Sequence, residues 1–229
     1  MNLFFWVILP YITVTILVLG LLVRYNFDQL GWSARSTEIF EKRQLKWGSL
    51  LFHWGILAAF VGHVVGILIP IAVYHGLGIS NEMYHRGAIL LGGMAGLAAL
   101  IGLVILTVRR LTHPRLRRHT SFADWLTTVV LLVVIGLGDW ITLGHNLYAT
   151  PFEYRTTVGP WFRGLFVFSP HAYLMTGIPL VFKIHIVASY VFWMIFPFTR
   201  LVHIISVPFA YLRRAPILYR SRLRYRPQS

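Results

Sequence analysis

The chain is predicted to be an all-α integral membrane protein, a bundle of five transmembrane helices, on three observations. Hydrophobic residues make up 57% of it and charged residues 12%, with a mean hydropathy of +0.67, far more apolar than a water-soluble domain requires. Apolar stretches of about 20 residues, the length an α-helix needs to cross a ~30 Å hydrocarbon core, recur along the sequence. Lysine and arginine collect in alternate links between those stretches, the pattern of cytoplasmic loops.

The first span covers residues 3–23. Its positive charges follow it, so it is expected to be a retained helix and not a cleaved signal. A link carrying Arg24, Arg35, Lys42, Arg43 and Lys46 leads to the second span, 48–72. The third span, 87–108, ends in the basic run RRLTHPRLRRH, and the fourth is 124–143. The link over 144–177 is rich in aromatics and prolines, among them Trp161, Phe162 and Phe166, and is expected to lie along the membrane interface with a short surface helix. The fifth span is 179–205, followed by a basic tail, 206–229. Residues 1–229 leave space for a single membrane domain and no separate soluble one.

Of the 21 Lys and Arg residues, all but Arg86, Arg155, Arg163 and Lys183 fall on one side of this arrangement. That places the N-terminus outside and the C-terminus in the cytoplasm. The formal charge of +14 hugs the ends of spans, which points to membrane lipid headgroups and docking partners and away from nucleic acid. The absence of cysteine excludes disulfides, thiolate metal sites and cysteine-ligated iron–sulfur clusters.

Four histidines, His53, His63, His185 and His203, lie inside the second and fifth spans. An imidazole in a membrane helix loses its water and is retained when something inside the protein uses its nitrogen, often a metal. His53 and His63 stand about 15 Å apart along their helix. Two axial nitrogens on one iron are only about 4 Å apart, so any shared ligation runs between helices. With the spans antiparallel, His63 and His185 both lie about 21–22 Å above the cytoplasmic side, while His53 and His203 lie near it. The expected pairs are therefore His63 with His185 and His53 with His203. On an ideal helix His185 and His203, about five turns apart, share a face, although Pro197 between them should kink the helix. Bis-histidine ligation of two haems fits this pattern. Another metal arrangement, or structural and proton-handling histidines, remains open on spacing alone. A hard-oxygen metal site is disfavoured by the scarcity of acids in the spans. Gly55, Gly62 and Gly66 with Gly92, Gly93 and Gly96 would let a flat macrocycle approach the backbone, or serve small-residue helix packing.

The motifs LFHWGILAAFVGH in the second span, FKIHIV and FPFTRLVHIISVP in the fifth, and GGMAGL followed by RRLTHPR at the third resemble the gamma subunit family of respiratory nitrate reductases, the membrane cytochrome b of that complex. The resemblance extends over nearly the whole chain. It implies a multi-pass subunit of a prokaryotic cytoplasmic membrane that acts enzymatically by oxidising quinol. It implies two haem b groups, with His63 and His185 as metal ligands of the outer haem and His53 and His203 of the inner one. Electrons would pass to an iron–sulfur beta subunit and on to a molybdenum-containing alpha subunit on the cytoplasmic side, where nitrate is reduced. Arg109, Arg110 and Arg200 would neutralise propionates of the inner haem, or simply set topology. Where the family carries a functional lysine before the third span, this chain reads NEMYHRGAILLGG, so Tyr84, His85 and Arg86 become the quinol-site candidates, with interfacial anchoring as their plainer role. Asp139 is a further candidate for a quinol proton, or else a solvated helix-end residue. His75, His113, His119, His145 and His171 are assigned no ligation. Rival readings are the same electron module serving a sulfur-cycle or heterodisulfide-type reductase, or a haem-free anchor or transporter.

Overall fold

The computed structural model describes residues 2–28, 32, 41–148 and 152–205. The basic tail over 206–229 and Arg35 of the first link lie outside the described residues. Eight helices carry the argument: α1 (Phe4–Phe27), α2 (Arg43–Leu68), α3 (Ile71–Gly76), α4 (Asn81–Thr112), α5 (Pro114–Arg118), α6 (Phe122–His145), α7 (Val158–Phe166) and α8 (Leu180–Ile195). Among the described residues there is no β-strand. Five helices, α1, α2, α4, α6 and the last crossing Leu180–Phe198, are long and apolar enough to cross a membrane. Their outer surfaces keep large apolar side chains such as Leu19, Trp54, Leu90 and Val133 exposed. That suits a hydrocarbon solvent, in which a helix satisfies its own backbone.

The crossing helices pack in an arc, α2 on α4, α4 on α6, α6 on α8 and α8 on α1. The tightest seam is α2 against α4. A Cβ added to Gly55 would run into the backbone nitrogen of Ala99 and lie 2.7 Å from the Ala95 carbonyl oxygen. One added to Gly102 would run into the backbone nitrogen of Phe52 and lie 2.7 Å from the Gly48 carbonyl oxygen. Backbones meet here because glycine leaves nothing between them, as membrane helix pairs require. By contrast α2 has no extended seam with α8. The two histidine-bearing helices stand across a gap, held in place by α4 and α6 between them.

Helix α4 begins at Asn81 and not near residue 87, because Ser80 accepts a hydrogen bond from the Met83 amide at 3.2 Å and Glu82 occupies the first turn. Tyr84, His85 and Arg86 are therefore helical residues and not loop residues. Ser121 and Asp124 start α6 with a reciprocal capping box. Helix α2 widens into a π turn over Val64–Leu68, directly after His63.

The last crossing departs most from expectation. The α-helix stops at Ile195, and Phe196–Phe198 and Arg200–Ile204 form 3₁₀ turns separated by an extended Thr199 (φ −114°, ψ 174°). Pro197 cannot donate to the ladder, so the helix breaks where a kink was expected. His203 thus sits beyond the break, and the shared helical face inferred for it and His185 does not apply. Arg24 of α1 braces the break, its Nη1 donating to the carbonyls of Pro197 and Thr199 at 2.7 Å each. Replacing Arg24 with leucine would strand both carbonyls, and a loss of about 2–3 kcal/mol is expected, read as a lower melting temperature of the purified complex.

The long link is also less superficial than expected. Trp161 of α7 is buried, its indole N–H donating to the Trp6 carbonyl at 2.8 Å. With Met175, Ile178 and Phe182 it closes one end of the bundle as a core cluster.

Candidate functional site

Both expected histidine pairs form. The ring centroids of His63 and His185 lie 6.2 Å apart with planes 25° from parallel. Those of His53 and His203 lie 6.3 Å apart at 61°. Two metal–nitrogen bonds of ~2 Å, each extended by about 1.1 Å from nitrogen to ring centre, would put coaxial imidazole centroids ~6.2 Å apart. The separations are those of two axial ligands flanking one metal ion. Among the described residues no cluster of three or more histidine, aspartate or glutamate side chains is poised for a metal.

The hydrogen bonds fix which nitrogen is available. His63 Nδ1 lies 2.7 Å from the Ala59 carbonyl oxygen, His53 Nδ1 2.7 Å from that of Ser49, and His203 Nδ1 2.7 Å from that of Arg200. A carbonyl only accepts, so each Nδ1 carries the proton and each Nε2 keeps its lone pair. That is the tautomer a metal-binding histidine needs, oriented by its outer hydrogen bond. His185 Nδ1 is buried without a hydrogen-bond partner, and a Cβ added to Gly138 of α6 would lie 3.4 Å from its Cε1. Three of the four imidazoles therefore offer Nε2, and the residues of both pairs fit a haem held between them.

The arginines differ in their commitments. Arg109 is buried and taken up by Glu41, with Nε 2.8 Å from Oε2 and Nη2 donating to the Glu41 carbonyl at 2.7 Å. Arg110 donates to Thr128 Oγ1 at 2.9 Å, and Arg200 Nε lies 3.1 Å from Asp124 Oδ1. Both stand at the His203 end of the bundle, Arg200 half-exposed.

At the other end Tyr84 and His85 turn inward and Arg86 does not. Arg86 is exposed and paired with Glu82 one turn back at 2.5 Å. The Tyr84 hydroxyl meets that of Tyr154 at 2.8 Å, and an added Cβ on Gly66 would strike both, at 2.8 Å and 2.6 Å. His85 Nε2 lies 3.2 Å from Glu153 Oε2. Arg155, completely buried, clasps the same carboxylate through Nε–Oε1 at 2.7 Å and Nη2–Oε2 at 2.6 Å, and also donates to Asn81 Oδ1 at 3.0 Å. Its guanidinium lies 3.8 Å from the ring centre of Tyr84.

Glu153, Tyr154 and Arg155 were not anticipated as site residues. The signal available was an opposite-charge pair two positions apart in an aromatic link of a chain with only 7 acids. Burial and the neighbouring Tyr84 raise the Tyr154 hydroxyl above the usual phenol range, so it stays protonated. Burial alone would raise the Glu153 carboxyl. The hydrogen bonds and charge of Arg155, with His85 beside it, outweigh that and hold it below its ordinary value of 4.5. A carboxyl lowered by folding adds stability that is present above the unfolded value and lost as pH falls through the folded one. The melting temperature of the parent should therefore fall more steeply below about pH 4.5 than that of Glu153→Gln.

Asp139, expected as a solvated helix-end residue or a proton acceptor, is buried on α6 with Oδ2 unpaired and Oδ1 filling the space over Gly96 of α4.

Five membrane-length helices with paired imidazoles at two levels of the bundle define a multi-pass membrane protein built around two histidine-pair centres. The description "Nitrate reductase gamma subunit" matches residues 2–222. The chain is 52% identical over 217 residues to the nitrate reductase gamma chain of Bacillus subtilis, covering 95% of this chain and 97% of that one. It is 35% identical to the respiratory nitrate reductase 1 gamma chain of Escherichia coli, covering 97% and 98%. It is 40% identical to the nitrate reductase-like protein NarX of Mycobacterium tuberculosis, covering 95% of this chain but 34% of that longer one. The chain belongs to the nitrate reductase gamma subunit family and is a membrane subunit of a nitrate reductase complex.

Proposed function

We propose that this subunit is the dihaem cytochrome b of its complex, oxidising membrane quinol near the His63–His185 pair and delivering electrons through the His53–His203 pair. The observation that carries this reading is the pair of centroid separations, 6.2 Å and 6.3 Å, combined with Nδ1 hydrogen bonds that leave Nε2 free. Bis-histidine haem b supplies one-electron carriage with no open coordination position, so nitrate is reduced on a partner subunit.

The protein's own residues do the rest. The carbonyls of Ala59, Ser49 and Arg200 hold three imidazoles in the ligating tautomer. The α2–α4 seam sets the height of His53 and His63 together, and Arg24 holds the break that delivers His203. Arg110 and Arg200 offer positive charge to propionates at the His203 end, while Arg109 is committed to Glu41. By the distribution of Lys and Arg the His53–His203 end faces the cytoplasm, where an iron–sulfur beta subunit and a molybdenum-containing alpha subunit would dock. Tyr84, packed beside the turn that follows His63, and its neighbour His85 would be the groups that contact quinol. The exposed Arg86 would not.

Mixing the purified complex anaerobically with a short-chain quinol tests this reading. Reduction of b-type haem ahead of any iron–sulfur signal is the expected result. Reduction of iron–sulfur centres with no haem signal would contradict it.

A further inference from the structure

We propose that His85 is the base that takes a proton from quinol, and that Glu153 and Arg155, which come from the link more than 60 residues away in sequence, position it. This rests on the quinol-oxidising role proposed above.

Two parallel rungs join the first turns of α4 to the segment after residue 152. One is Tyr84 OH with Tyr154 OH at 2.8 Å, the other His85 Nε2 with Glu153 Oε2 at 3.2 Å. The first rung lies directly on Gly66, in the π turn that follows His63, so the second borders the same end of the His63–His185 centre. The two rungs differ in chemistry. The tyrosine rung is a pair of neutral hydroxyls, and burial raises the Tyr154 hydroxyl further, so it can donate a hydrogen bond but is a poor proton acceptor. In the histidine rung a carboxylate accepts from Nε2–H. In the neutral ring that leaves the lone pair on Nδ1, the form in which His85 can act as a base. The same orientation of an imidazole by a buried carboxylate serves general-base catalysis in unrelated enzymes.

Glu153 can hold that orientation because Arg155 holds Glu153. The guanidinium grips both carboxylate oxygens at 2.7 Å and 2.6 Å, is itself inaccessible to solvent, and is fixed by Asn81 and by the faces of Tyr84 and Tyr74. A bidentate Arg–carboxylate pair whose guanidinium is buried is a rigid support. The His85 side chain keeps 15% of its surface accessible and Glu153 25%, so a proton accepted there can reach water at this end of the bundle.

The balance is simple. With haem b held at the His63–His185 centre, quinol would give up its two electrons one at a time, the centre passing each on towards the His53–His203 pair before taking the next. The O–H bond that faces His85 breaks with its proton passing to Nδ1, where an N–H bond forms, and the hydroxyl at the opposite end of the ring releases its proton to water. His85 then releases its proton to water, and quinone leaves.

The test uses the intact complex, rapid mixing with a short-chain quinol, and the rate of haem reduction. His85→Asn should keep both haems and full reduction by dithionite while slowing quinol-driven reduction about 10²-fold, the usual contribution of a general base. Glu153→Gln should slow it about tenfold with little change in the quinol concentration at half-maximal rate. Added imidazole should restore much of the rate in His85→Ala, which a purely structural histidine would not allow. Full quinol-driven rate in His85→Asn, or a loss found only in Arg86→Gln, overturns the assignment, and so does His85→Ala unresponsive to imidazole. A parent complex whose haems quinol does not reduce overturns the functional reading itself, and this assignment with it.

Discussion

His63→Ala, prepared in complex with its partner subunits, should lose one haem b and keep the other, and His53→Ala should lose the opposite one. The expectation follows from pairing across the gap between α2 and α8. Among the described residues His185 is the imidazole that stands against His63, and His203 the one that stands against His53. Each substitution removes one axial ligand from one centre and leaves the other centre's two untouched. The partner variants should be equivalent, His185→Ala matching His63→Ala and His203→Ala matching His53→Ala in the reduced-minus-oxidised spectrum. Quinol oxidation should fall by at least about 10²-fold in all four, since the conduit is serial. Loss of both haems from either α2 variant, with the α8-side variants unaffected, would contradict the pairing.

Gly55→Leu should disturb both centres at once. Gly55 lies between His53 and His63 on α2, and even a methyl there meets the Ala99 backbone of α4, which a side-chain rotation cannot relieve. Overpacking in a well-filled seam costs about 1–3 kcal/mol where neighbours can shift. Here the obstacle is main chain, so the cost should sit at or above the top of that range. The measurable consequence is a fall in melting temperature together with partial loss of both haems, because the α2–α4 seam carries both ligands. Gly102→Leu, whose added carbons would meet the backbone of Phe52, the residue before His53, should behave alike. The histidine substitutions separate the centres, whereas the glycine substitutions should move them together.

Much of this was legible in the sequence because the membrane reduces the physics to few variables. Length and apolarity locate helices, and a rise of ~1.5 Å per residue converts histidine position into depth. That was enough to pair His63 with His185 and His53 with His203 before any coordinates. Depth depends on residue count alone, so it survived a feature that azimuth did not. The break at Pro197 and Thr199 leaves His203 at the right height on a 3₁₀ turn, and the shared-face argument fails while the pairing stands. The start of α4 differs because hydropathy recognises Gly87 onward, whereas Ser80 supplies the cap seven residues before that apolar run begins. Asp139 was misjudged because a single acid near a span end reads as solvated, and only the glycine opposite, Gly96, makes room to bury it. The Glu153–Arg155–His85 arrangement was invisible for a different reason. It joins the first turns of α4 to a link whose fold no periodicity predicts, and nothing local announces which helix an interfacial arginine will reach.

The central claim is that each histidine pair grips one haem. Haem content per polypeptide in the purified complex, combined with low-temperature electron paramagnetic resonance of the oxidised form, tests it most directly. Two b haems per chain, both low-spin with the signature of two imidazole ligands, is the result the geometry predicts. A chain with no haem, or with a high-spin centre bearing a single imidazole, would contradict it.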